Sequence, residues 1–140
     1  MLLADFSPAY VNALAGQFGF LGAFLGAISM TLFVTLLTLA KPALTMRISI
    51  GLAGFASLAF IVTAFYSAGV FSVSHPEAPG LSQPETIVFN FASVIVSFTL
   101  GIYALLGAIG TSGWSRSKPL GIALSVMAFV AAAFVSLAIF

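Results

Sequence analysis

Long apolar runs recur along this chain, and they constrain its fold more than any other feature. They cover residues 17–40, 48–70, 86–109 and 119–140, and only short stretches carrying charge, proline or glycine separate them. A helix of about 20 apolar residues crosses the roughly 30 Å hydrocarbon core of a bilayer. Backbone N–H and C=O groups have no water to bond there, so a spanning segment must satisfy them internally, as a helix or a closed barrel. A barrel needs alternating polar and apolar positions, and no useful length of this sequence alternates. The expectation is an all-α, polytopic membrane protein: four transmembrane helices arranged as two hairpins, forming one domain over residues 1–140.

Composition supports lipid as the solvent. Charged residues make up 5% of the 140 and hydrophobic ones 61%, where soluble domains carry about 25% charge. The net charge of +1 leaves no clustered cations for a phosphate backbone, so no nucleic-acid partner is expected. There is no cysteine, which excludes disulfides, iron–sulfur ligation and covalent c-type haem. Residues 1–16 hold Asp5 and no Lys or Arg, unlike a secretory leader. The first apolar segment is therefore expected both to target the chain and to stay.

Local chemistry marks the helix ends. Ser7-Pro8 reads as an N-cap followed by proline in the first turn. An unbroken helix from Pro8 to Ala40 would be about 50 Å long, well beyond the hydrocarbon core. Residues 8–15 are therefore expected to lie at the interface, or to project, with a bend near Gly16-Gln17. Ser82 and Glu85 fit a capping box for the third helix. Before it runs "SVSHPEAPGLSQPE", the only sizeable connection.

The few charges give an orientation. Lys41 and Arg47 fall in the first turn, and Arg116 and Lys118 in the third; Asp5, Glu77 and Glu85 fall on the other side. The positive-inside bias then makes both basic turns cytoplasmic, with both termini outside. Each juxtamembrane cation gains about 1 kcal/mol near anionic lipid, which outweighs the few tenths lost when Arg47 and Lys118 sit near helix N-termini. Trp114 belongs to the inner aromatic belt, Tyr10 and Tyr66 to the outer. The expected location is an integral, multi-pass position in a bacterial inner membrane. Both basic turns contain Lys-Pro, and each leads into similar text: "GLAGFASLAFIVTAF" from Gly51 and "GIALSVMAFVAAAF" from Gly121. Two hairpins of common descent would read this way.

The uncharged faces hold the candidate sites. In the first helix Gly19, Gly22 and Gly26, with Ala15 and Ser29, form a small-residue stripe that lets two backbones approach closely. That face closes the chain's own bundle or binds another subunit. In the third helix Asn90, Ser93, Ser97, Gly101, Ala104 and Ala108 recur every three to four residues, on one helical face. Thr31, Thr35 and Thr38 of the first helix, or Ser125, Ala132 and Ser136 of the fourth, could oppose it. Such a stripe serves interhelical hydrogen bonding, or lines a polar path along Asn90, Thr31, Thr35 and Thr38.

Catalysis has little to work with. No acid, base or nucleophile cluster lies in an apolar run, and no carboxylate is placed there to relay protons. His75, the only histidine, could contribute to a metal site only with ligands from elsewhere. Bis-histidine haem is beyond this chain alone. No cofactor bound by this chain alone is expected, and lipid, quinone or pigment contact is left open. The function expected is that of a non-catalytic membrane subunit, not an enzyme, whose partners are lipid and other membrane subunits or itself. The alternative is a small ion or solute channel or transporter with a weakly polar path along the third helix.

Overall fold

The computed structural model describes residues 8–39, 43–74 and 84–139. Four helices account for almost all of them: α1 (Pro8–Thr38), α2 (Leu44–Val73), α3 (Pro84–Ser112) and α4 (Lys118–Ile139). A single 3₁₀ turn, Gly113–Ser115, links α3 to α4. All four helices are long and apolar enough to cross a membrane. The chain is an all-α integral membrane protein in its architecture.

The helices pack in chain order. α1 lies along α2, α2 along α3, and α3 along α4, while α1 and α3 meet only lightly. Neighbours run antiparallel. At one end Leu36 of α1, Met46 and Ala53 of α2 and Ala108 of α3 share a core. At the other end Val11 and Ala15 of α1, Val70 of α2 and Phe91 of α3 share another. Between them, Ala56, Phe60 and Ala104 form the middle. α2 is therefore the central helix, enclosed from two sides, and α4 is the outer one.

α1 differs from the expectation. It runs unbroken from Pro8 through Gly16-Gln17 to Thr38, 31 residues, or about 46 Å at 1.5 Å per residue. Residues 8–15 continue the same helix and do not form a separate element. The cause is tertiary: Val11 and Ala15 are buried against Val70 and Phe91. Asn12 adds two hydrogen bonds, donating its amide to the Phe71 carbonyl at 3.0 Å and to Ser74 Oγ at 3.1 Å. With α2 equally long beside it, the first two turns of α1 are held as helix. The third helix likewise begins at Pro84, two residues before its apolar run. Its expected capping serine, Ser82, and the Ser7 cap of α1 lie outside the described residues, as do Lys41, Asp5, His75 and Glu77.

Candidate functional site

The small-residue stripe of α1 faces α2. A methyl group on Gly22 would stand 3.1 Å from Thr63 Cγ2 and 3.2 Å from the Phe60 carbonyl oxygen; one on Gly26 would stand 3.3 Å from Phe60 Cβ; one on Gly19 would stand 3.2 Å from Ser67 Cβ. A side chain at any of the three would have to push α2 away by a few tenths of an ångström. The face that could have served a second subunit is occupied by the chain's own next helix.

Phe60 joins three helices. It is fully buried, with its backbone under α1 and its ring on Gly101 of α3, where an added methyl would come within 2.8 Å of Cε1. From Phe60 a line of edge-to-face rings crosses the molecule. Phe60 meets Phe98 at 5.9 Å, Phe98 meets Phe18 of α1 at 5.1 Å, and Phe18 meets Phe91 at 6.4 Å. Aromatic pairs of this geometry add about 0.5–1.5 kcal/mol each beyond simple burial. In lipid, where apolar burial alone drives no helix association, such fitted contacts carry the packing.

Hydroxyl groups tie the joints between helices. Thr63 of α2 and Ser97 of α3 share a hydrogen bond of 2.9 Å, and Ser49 and Thr111 one of 2.7 Å. Tyr103 of α3 bonds Ser136 of α4 at 2.5 Å. The candidate stripe of α3 is thus divided among different tasks. Ser97 faces α2, Gly101 takes the Phe60 ring, Ser93 donates to its own helix at the Phe89 carbonyl, and Asn90 is half-buried near the Val11 end.

The threonines of α1 are elsewhere. Thr31, Thr35 and Thr38 are exposed, and each donates back to its own helix, to the carbonyls of Ala27, Thr31 and Thr35 at 2.7–2.9 Å. They lie at the opposite end of the molecule from Asn90. The structure does not bring the four residues of the supposed path together.

The corner between α3 and α4 is built on two glycines. Gly113 approaches the Leu120 carbonyl oxygen, and Gly121 lies under the Trp114 ring, where a methyl would fall 2.7 Å from the indole. Trp114 donates its N–H to Ser125 Oγ at 2.9 Å, and Ser125 donates to the Gly110 carbonyl at 3.2 Å. Trp114 therefore braces the corner, though 45% of it stays exposed. Ser117 accepts from the Leu120 N–H and caps α4. Arg47, Arg116 and Lys118 are all exposed and gather at this end of the helices.

Several of these residues carry no sequence signal of their own. Phe60 is one of fifteen phenylalanines, and only its glycine partners on two other helices distinguish it. Asn12 stands out in the sequence only as a polar residue early in an apolar helix. Among the described residues no group of three His, Asp or Glu side chains is placed to hold a metal.

Among the described residues two buried hydroxyls lack partners: Ser29 Oγ on α1 and Ser67 Oγ on α2. Beside Ser67 the α1/α2 seam opens outward into a groove of about 420 Å³, continued by a second of about 380 Å³. On α4 the outer ridge is uncovered: Phe129 is 76% exposed and Leu137 81%. Set against family models, curated proteins and solved structures, the chain matches none.

Proposed function

We propose that this chain is a non-catalytic integral membrane subunit, working by packing within a larger membrane assembly or with copies of itself. One observation carries the reading: the interior formed by α1, α2 and α3 is filled with fitted side chains. Phe60, Val94 and Val70 are fully buried, and Ser97 and Thr63 bond each other across the α2/α3 joint. Of the buried polar side chains, Ser49 and Thr63 bond across to α3, and what this protein offers to others lies on its outer faces, α4 above all.

The proposal includes an orientation. The end carrying Arg47, Arg116 and Lys118 is cytoplasmic, both termini are outside, and α1/α2 and α3/α4 are the two hairpins inserted in turn. The membrane is a bacterial inner membrane.

Purification of the full chain from its own membrane in mild detergent tests the function. Fixed partners, or a defined homo-oligomer, at constant stoichiometry are expected. Ion or solute flux in reconstituted vesicles that Asn90→Leu abolishes would overturn it. The orientation predicts that a tag after Phe140 is reached by an impermeant label in intact cells. Labelling only in inverted vesicles would reverse the topology.

A further inference from the structure

We propose that the outer seam of α1 and α2 is a binding slot for one acyl chain of a diacyl phospholipid, with the ester carbonyl of that chain held at Ser67. The inference stands apart from whether the chain has partner subunits. It rests on the shape of the seam, on one orphaned hydroxyl and on the depth at which that hydroxyl lies.

The two grooves share Ala64 and lie end to end. Their floor is made of small residues, Gly16, Gly19, Ala23 and Ala27 on α1 with Ala64 and Ala68 on α2. Their rims are aromatic. Phe20 stands on the α1 side, and Phe65 and Phe71 stand on the α2 side. Phe20 is 72% exposed and Phe65 75%, so both rims rise well above the floor. A helix about 10 Å across would rest on these rings; a single polymethylene chain passes between them and touches the floor. From Gly16 to Met30 the slot runs about 21 Å along α1, enough for the roughly 15 Å of hydrocarbon in one leaflet.

Ser67 lines the upper groove and is 1% exposed, yet its hydroxyl has no partner. An unpaired hydroxyl in apolar surroundings is costly, and Ser67 is itself one of the residues that line the groove. The absence of a side chain on Gly19, which would stand 3.2 Å from Ser67 Cβ, keeps that space open. The hydroxyl can donate, and an ester carbonyl can only accept.

The depth agrees. Ser67 lies six residues from the end of α2, or about 9 Å along the helix. Centring the 30-residue α2 on a 30 Å core leaves about 7–8 Å of helix beyond each edge. Ser67 is then placed just inside the hydrocarbon boundary, where lipid ester groups lie, on the side away from Arg47 and Arg116.

The test uses the full chain in vesicles of phosphatidylethanolamine and phosphatidylglycerol, with a trace of a phospholipid bearing a diazirine midway along one acyl chain. After irradiation, labelled positions are mapped by peptide mass spectrometry. Labelling concentrated at Ala23, Ala27 and Ala64 over Phe129 and Leu137 of α4 is expected. Ala23→Phe, at an exposed position that leaves the helix joints alone, should remove most of the seam labelling and spare α4. Ser67→Ala should lower it about threefold, the worth of one hydrogen bond in lipid. Equal labelling of seam and α4 would mean ordinary surrounding lipid and would overturn the proposal. So would seam labelling that excess isoprenoid quinone displaces and excess unlabelled phospholipid does not.

Discussion

α2 and α4 each carry the same short text, Ala-Phe followed five residues after the first Phe by a second: "AFIVTAF" from Ala59 and "AFVAAAF" from Ala128. Their fates differ. Phe60 is fully buried and Phe129 is 76% exposed, although the second phenylalanines, Phe65 and Phe134, are alike at 75% and 70%. Of the most apolar stretch of each helix, 39% is buried in α2 and 6% in α4. Hydropathy does not separate them, and α4 is the more apolar. What separates them is the neighbour. Phe60 meets Gly22, Gly26 and Gly101 on two other helices, and α4 packs on α3 and its turn. In lipid, burial follows the fit a partner offers, because apolarity alone favours neither inside nor outside.

The comparison can be broken first at Gly101. Gly101→Leu would drive a side chain into the Phe60 ring, overpacking worth about 3 kcal/mol or the loss of the fold. Denaturant titration in micelles should show it, and a stability equal to the parent would remove Phe60 from the centre of the account. Truncating the two phenylalanines themselves is the matched pair. Phe60→Ala should cost about 2–3 kcal/mol, chiefly through the cavity left behind, and Phe129→Ala no more than about 0.5 kcal/mol in the isolated chain. Equal losses would mean that α4 is packed more tightly than its single neighbour allows.

Gly22→Leu tests the other side of the same residue. Its side chain would meet the Phe60 carbonyl and Thr63, at a cost of about 1–3 kcal/mol. Disulfide cross-linking between cysteines placed in α1 and α2 should slow if the helices part. The smallest effect belongs to the hydroxyl rung. A double-mutant cycle of Thr63→Val with Ser97→Ala should give a coupling of about 0.6 kcal/mol, while Thr31→Val, whose hydroxyl bonds only its own helix, should leave stability unchanged. A coupling near zero would mean the rung is incidental to the α2/α3 joint.

Much of this architecture was legible in the sequence. The spans were set by length and apolarity, and the gathering of Arg47, Arg116 and Lys118 by the alternation of an antiparallel chain. Gly19, Gly22 and Gly26 marked a face, though not which helix would meet it. The helix continues through Gly16-Gln17 because α2 is long enough to hold residues 8–15 as helix, a property of the neighbour and not of the local text. Phe60, Asn12 and the Trp114–Gly121 contact were hidden for a related reason. In a helix that is apolar all round, no amphipathic pattern shows which side turns inward, so the inward side is decided by glycines far away in the sequence.

The central claim is that the chain works as a packing subunit through its outer faces. Native mass spectrometry of the full chain, released from its own membrane in lipid particles, tests it most directly. The account predicts one defined assembly, heavier than a single 14.4 kDa chain and constant in composition between preparations. A lone chain carrying only lipid, at every detergent and lipid condition tried, would contradict it.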